Sequence, residues 1–421
     1  MKLSQACSAL VLLAALAPTG AWATSLDDAI AVALKTNPET LEARANIDFA
    51  DAKVREAWSA ALPQVSLSGE TGHGRTNLSG FFGFGKANLD PRTAQIELRE
   101  NLFSGGAVLA GINQAKQGRE AALQISEGTK ARLIAQVAEA YGDVLYAKAV
   151  FDVTTTYLNT TEDVARQAKL RFAAGEIPKS DLAQADARRA EGRAQLTKSQ
   201  EMLADARAHY RAVVGEDAGE LDPLPVLGSP SGNLDAVIER ALDANPGLRA
   251  AQAGLRAAKA GVRQAEAERL PTVALTVSAT TAHDEFFPGY RSDGTMVGVQ
   301  GRWTLFSSGG VSARISEARA NLRKAQAEVM KAQSTVREAV IAAWSALASA
   351  TANESAMEDQ VAAQHFALDS VREEVRVGQK TTLDLLNAER ELLDAKSKLA
   401  AVKTARAIAF FQLQAAVGAT L

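Results

Sequence analysis

The chain has 421 residues, 46 Lys and Arg against 49 Asp and Glu, a formal net charge of −3 and 5% aromatic residues. Such a balance argues against the basic surface that binds nucleic acid, so no nucleic-acid partner is expected. An alanine-rich, aromatic-poor composition suits long packed helices better than a compact enzyme core.

Residues 1–23 carry a lysine near the front, a short apolar run and a small-x-small ending at Ala21-Trp22-Ala23. This reads as a secretory signal peptide cut after Ala23. The run is too short to span a bilayer, and no later segment approaches the roughly 20 apolar residues of a membrane helix. The only cysteine, Cys7, lies inside the signal, so the mature chain has no thiol for a disulfide, a zinc site or a nucleophile.

A short helix is expected over 26–35, and Asn37-Pro38 starts another that runs to Ala61, where Leu62-Pro63 stops it. Val65 and Leu67 alternate with Ser66 and Ser68, a period of two that predicts a strand over about 64–76. A glycine-rich loop with Phe81, Phe82 and Phe84 leads to a second strand at about 93–103. Then comes LFSGG, and a proline-free helix over about 107–172. At 1.5 Å per residue it would be about 100 Å long. Gly175 stops it, Ser180 and Asp181 open a return helix over 181–214, and Gly215 ends that.

The second half says the same again. Leu26 matches Leu234 and Asn37-Pro38 matches Asn245-Pro246, both 208 residues apart; from Leu102 and Leu305 onward the offset is 203. The chain therefore reads as two tandem copies, 24–228 and 229–421. The second copy predicts strands at about 272–282 and 295–306 around a loop with Phe286 and Phe287, a long helix over 311–377, a tip with Gly378 and Lys380, and a return helix over 383–417. Leu322, Val329, Val336, Ala343, Ala350 and Met357 recur every seven residues, and Val340, Leu347, Val361, Leu368 and Val375 mark a second stripe. Two such stripes pack a helix on neighbours at both sides, as in a coiled-coil sheet or tube.

Four strands with one polar and one apolar face, in an exported chain, fit an outer membrane, but four cannot close a barrel and an open edge in lipid is costly. Membrane barrels need about eight strands, so three copies supplying twelve is the smallest arrangement with a pore.

The duplicated strand-loop-strand units, the LFSGG and LFSSGG entries to long helices, the Asn-Pro helix starts and the tips RFAAGEIPKSDLAQA and VRVGQKTTLDLLNAE resemble the TolC-type outer membrane efflux and secretion channels. The resemblance covers 26–421 and implies a mixed fold: a homotrimer with a twelve-stranded β-barrel continued by a periplasmic α-helical barrel. It implies a passive exit duct in the outer membrane of a Gram-negative bacterium, in contact with outer membrane lipid. The duct would work with a periplasmic adaptor and an inner-membrane pump of the RND, ABC or MFS class, in efflux or type I secretion.

The resemblance also assigns residues. Asp384 would ring the periplasmic constriction, with Asp181, Ser180, Lys380 and Asn387 around it; three carboxylates on one axis repel anions and raise one another's pKa. Asn387 stands where the family pattern has a second acid, and Val375 where it has an aromatic. Asp181 and Asp384 also sit where an acid simply complements a helix N-terminus. Gly175 and Gly378 would form adaptor-docking tips, and each is equally a left-handed helix cap. The loop aromatics would lie outside the cell, as an interfacial girdle or as loop packing.

His73, His209, His283 and His365 are not at ligand spacing, so no metal is expected. No catalytic constellation, cofactor motif or Walker-type phosphate loop is present, so any driving force comes from elsewhere. The competing reading is a periplasmic coiled-coil adaptor or structural protein of an envelope transport complex.

Overall fold

The computed structural model describes residues 23–77, 85–225, 228 and 233–418. The expected signal segment up to residue 22 and the loop aromatics Phe81, Phe82 and Phe84 lie outside the described residues. Two compact units are formed, one by the described residues of Met1–Ala33, Gln136–Leu227 and Asn353–Ala407, the other by those of Leu34–Ala135, Gly228–Ala352 and Ile408–Leu421.

The helices come in equal pairs. α1 (Leu26–Thr36) and α5 (Leu234–Ala244) have 11 residues each, and α2 (Pro38–Ser59) and α6 (Pro246–Ala267) have 22. α3 (Ala107–Ala173) and α7 (Gly310–Arg376) have 67, and α4 (Lys179–Val214) and α8 (Thr382–Val417) have 36. Among the described residues no helix is long and apolar enough to cross a membrane.

Asparagine and proline start α2 and α6 as a pair. The Asn37 side chain accepts from the Glu39 N–H, that of Asn245 from the Leu248 N–H at 3.1 Å, and a proline fills the first helical position in both. Asn245 also donates to the Ala416 carbonyl at 2.9 Å, so the end of α8 meets the start of α6. Gly418, at φ +78°, closes this joint; a Cβ there would lie 2.8 Å from the Ala244 carbonyl oxygen.

Packing follows the heptads. Val336, Val340 and Leu248 are buried together with Val237, Ala241 and Val417, and Leu347 and Leu368 are buried further along α7. Each fully buried branched side chain contributes about 1.5–3 kcal/mol relative to exposure. In the other unit Tyr141 of α3 is fully buried, and its hydroxyl reaches the carbonyls of Thr24 (2.8 Å) and Asp222 (2.7 Å). Burial and the neighbouring Asp222 raise its pKa, so it remains a phenol.

The sheet is antiparallel in the order β1 (Gln64–Thr71), β4 (Arg92–Phe103), β5 (Thr272–His283), β6 (Arg291–Arg302). Two expectations are corrected. The strand read over about 64–76 is two strands: β1 stops at Thr71, and β2 (Gly74–Asn77) pairs with β3 (Lys86–Leu89) in a separate ribbon. Gly72 donates to the Pro91 carbonyl at 3.0 Å and breaks the run. The strand read over 295–306 runs from Arg291 to Arg302 instead, so Trp303–Phe306 is not strand. Its partner β5 begins at Thr272, paired with Arg302, directly after Pro271, which has no N–H to donate. The Trp303 indole turns to the Arg269 carbonyl at 3.1 Å.

The LFSGG and LFSSGG segments join strand to long helix. Ser104 and Ser307 accept from the N–H of Val108 and Val311, each at 3.3 Å. Gly105 (φ +61°) and Ser308 (φ +49°) both hold left-handed backbone. A Cβ on Gly105 would come within 2.7 Å of the Ala267 carbonyl oxygen and 2.8 Å of Leu270, so only glycine fits there.

Candidate functional site

The two hairpin tips, α3–α4 and α7–α8, lie in the same unit. Both long helices end in the same way. Gly175 (φ +77°) and Gly378 (φ +80°) take left-handed backbone, and the following N–H groups of Glu176 and Gln379 reach back to the carbonyls of Arg171 and Glu374, each at 2.9 Å. A Cβ on either glycine would meet nothing within 4 Å, so both tips present open surface.

The return helices start differently. On α8, the N–H and hydroxyl of Thr381 donate to Asp384 Oδ2 at 2.9 and 2.7 Å, while the Asp384 N–H donates to Thr381 Oγ1 at 3.3 Å. This reciprocal cap holds the Asp384 carboxyl below the usual carboxylate range, the Thr381 side chain and backbone being the main causes and Lys380 a lesser one. On α4 the cap residue is Pro178, whose side chain offers no hydrogen bond, and Ser180 Oγ donates to Asp181 Oδ1 at 3.2 Å.

Lys380 pairs with Glu374 at 2.8 Å, and that hydrogen-bonded carboxylate holds the ammonium above the usual lysine range. Among the described residues no hydrogen bond or ion pair joins Asp181 to Asp384, and Lys380 is engaged within its own hairpin. Asn387 is the one expected gate residue bonded across to the other hairpin: its Oδ1 accepts from Arg188 Nη2 of α4 at 3.2 Å.

Reading from sequence missed Arg188, Glu191 and Arg390. The signal was present: Asp181, Gln184, Arg188 and Glu191 recur at steps of three and four, which line one face of α4. In the other unit, the β5–β6 loop is closed by the Asp284 N–H on the Tyr290 carbonyl at 2.8 Å. There Phe286 and Phe287 stand edge-on to Tyr290, with ring centroids 5.0 and 5.3 Å apart, so these two rings pack within their own loop.

The family model for outer membrane efflux proteins matches residues 29–216 and again 237–419. The chain belongs to the outer membrane efflux protein family. The outer membrane efflux protein BepC of Brucella suis biovar 1 (strain 1330) is 30% identical over 415 residues, 98% of this chain and 89% of that protein. The outer membrane protein TolC of Escherichia coli (strain K12) is 25% identical over 401 residues, 91% of this chain and 80% of its own length. In fold, the chain is similar to the CmeC outer membrane channel of Campylobacter jejuni, with a TM-score of 0.84 at 16% identity over 93% of this chain and 85% of that one.

Family membership decides between the two readings drawn from the sequence. The chain is an outer membrane exit duct for efflux or type I secretion, reaching into the periplasm, and not the adaptor. The family is one of ducts rather than enzymes, working in complexes with an adaptor and an inner-membrane pump.

Proposed function

We propose that three copies of this chain close their four-stranded sheets into one twelve-stranded barrel, continued by a barrel of helices, and that the two halves of the chain arose as a tandem repeat. The observation that carries this reading is the pair of unpaired sheet edges. β1 is exposed along its whole length and β6 almost so, and among the described residues neither has a second strand partner. In lipid each unpaired backbone group costs several kcal/mol, and pairing β6 of one copy with β1 of the next removes that cost.

On this reading Asp384 lines the periplasmic constriction with Asp181, Ser180, Lys380 and Asn387 nearby. Because Thr381 holds Asp384 charged, three copies would present a ring of carboxylates that favours cations. The open tips at Gly175 and Gly378 would receive the adaptor's helical hairpin. Phe286 and Phe287 would lie outside the membrane, as would Phe81, Phe82 and Phe84. The pump would be of the RND, ABC or MFS class and would supply all the energy.

Two measurements test this. Native mass spectrometry of the detergent-solubilised protein is expected to give a trimer; a monomer or dimer overturns the barrel. Single channels in planar bilayers are expected to be cation-selective, and Asp384→Ala to reduce that selectivity; unchanged selectivity removes Asp384 from the constriction.

A further inference from the structure

Residues paired across antiparallel strands point to the same side of a sheet, so the register sorts the side chains of this one into two faces. One face carries the row Val65, Leu98, Val277 and Val297 and, one step further from the helices, Leu67, Ile96, Ala279 and Thr295. The opposite face carries Ser66, Glu97, Ser278 and Met296, then Ser68, Gln95, Thr280 and Gly294. In a membrane barrel the first face meets lipid and the second lines the lumen. Leu67 and Val297 are 80% and 72% exposed in the single copy, as lipid-facing side chains are.

Away from the helices the lipid face changes character. After Gly69, Ala94, Thr281 and Asp293 comes the row Thr71, Arg92, His283 and Arg291, in register across all four strands. At about 3.3 Å per residue this row lies about 13 Å along the strands from Leu67 and Ile96, and about 20 Å from Val65 and Leu98. With strands tilted by about 40°, it falls at the rim of an apolar band about 25 Å tall. The helices leave the other end of the sheet and reach into the periplasm, so this rim belongs to the outer leaflet. At the periplasmic end the same face carries an acid instead, Glu100, beside Leu275 and Val299.

The carboxylates near the basic row are already engaged. His73 Nδ1 meets Asp90 Oδ1 at 2.7 Å; Asp293 accepts from the Thr281 hydroxyl at 2.7 Å and stands 3.4 Å from Arg291 Nε. Arg291 is still 68% exposed, and an exposed pair at that distance contributes little. Arg92 is exposed too, and among the described residues its guanidinium has no hydrogen-bond or ion-pair partner. Two strands apart, with His283 between them, Arg92 and Arg291 have backbones about 10 Å from each other, so both can reach one headgroup. The guanidinium fork matches phosphate oxygens two at a time.

We propose that Arg92, His283 and Arg291 bind the phosphate of an anionic lipid in the outer leaflet, whose acyl chains lie along Ile96, Leu98, Val277 and Val297. The arginines take the phosphate oxygens, and the His283 imidazole supplies one more donor. Each copy would thus hold a lipid against its β4–β6 wall and fix how deep the barrel sits. This inference rests on the reading of the sheet as part of a membrane barrel and adds a ligand to the outside of that barrel.

Native mass spectrometry of the detergent-solubilised protein, with diphosphoryl lipid A as the phosphorylated lipid, tests the site. Wild-type trimer is expected to retain it, and to bind lipid A stripped of both phosphates roughly tenfold more weakly. Arg92→Gln combined with Arg291→Gln is expected to give the same loss. Arg99→Gln, on the lumen face near Gln300, is expected to leave retention unchanged, and an excess of inorganic phosphate is expected not to displace the lipid.

Equal binding of the two lipid forms overturns the site, as does full retention by the double variant or an equal loss in Arg99→Gln, which would mark general charge attraction. Displacement by inorganic phosphate would give the row to a free anion and overturn the lipid. Should the double variant fail to assemble, the two lipid forms on wild-type protein decide alone. A wild-type monomer would end the barrel reading and the site together, whereas a trimer that keeps no phosphorylated lipid ends the site and leaves the barrel standing.

Discussion

The α3–α4 hairpin closes on small residues. Ala165, Ala168 and Ala185 pack with Ile177 and Leu182, and Gly192 lies against Thr161 and Leu158, where an added Cβ would come within 3.2 Å of the threonine hydroxyl. The α7–α8 hairpin has the same helix lengths and its own apolar cluster of Leu368, Ala388 and Leu392, but charges zip it as well. Arg372 meets the buried Glu389 at 2.6 Å, Arg406 meets Glu354 at 2.7 Å, Lys403 meets Glu358 at 3.1 Å and Lys380 meets Glu374 at 2.8 Å. The first hairpin has one ion pair between its helices, Arg193 with Glu162 at 3.0 Å, where the second has Arg372, Lys403 and Arg406 each paired across, so the second leans more on charge. Helix length and glycine cap positions survive between the halves, whereas the balance of apolar contact and charge does not. Copies of one unit can thus keep a shape while diverging in what loosens it.

The largest expected break in this comparison is at the junctions. Gly105→Ala is expected to cost about 2–4 kcal/mol, from the left-handed backbone and the clash with Ala267 and Leu270. Ser308→Gly at the matching place is expected to change stability by less than about 1 kcal/mol. Thermal melting in detergent reads both, and equal effects would mean that the junctions are equivalent.

Next comes the ion-pair zipper. Glu389→Gln removes the buried carboxylate that Arg372 meets, leaving the half-exposed arginine with Asp369 at 3.4 Å, and is expected to cost about 1–2 kcal/mol, discounted for solvent screening of the arginine. The loss should appear as faster amide exchange in α8, with α4 unchanged. A smaller effect is expected from Pro178→Ser, which supplies α4 with the cap it lacks. Slower exchange in its first turn, worth about 0.5 kcal/mol, would make the first tip more like the second.

The smallest is the pH dependence of the second tip. The folded-state pKa of Asp384 is depressed below its ordinary 3.8, so the stabilisation by its cap is fully present above that value and is lost as pH falls through the lower folded value. Amide exchange at the start of α8, corrected for intrinsic rate, should rise only in strong acid. Asp384→Asn should abolish that dependence; a loss of protection near neutral pH would contradict it.

Much of this fold could be read from residue patterns. The seven-residue stripes of α7 locate Val336, Val340, Leu347 and Leu368, all buried, and the Asn-Pro pairs locate the starts of α2 and α6. β6 was harder because its first residues, Arg291-Ser292-Asp293-Gly294, carry no apolar alternation; pairing with β5 makes them strand. The β2–β3 ribbon escaped for the same reason, with Gly74-Arg75-Thr76-Asn77 polar throughout. At the tips the residue types were right to notice, but their partners were not visible. Whether Lys380 turns to Glu374 or to another helix depends on side-chain direction at a turn, which spacing does not encode.

The joint at Asn245 bears on how force would travel along the helices. α8 and α6 follow one another there with no peptide bond between them, held by one side-chain amide on the Ala416 carbonyl and by the close seat of Gly418 on Ala244 and Pro246. A covalent helix resists stretching and twisting alike, whereas this splice carries compression well and tension or torque poorly. Tension on this end of α8 is borne by that bond and by Val417, buried with Leu248, Val336 and Val340, rather than by a continuous backbone. The joint therefore yields before either of the helices it connects.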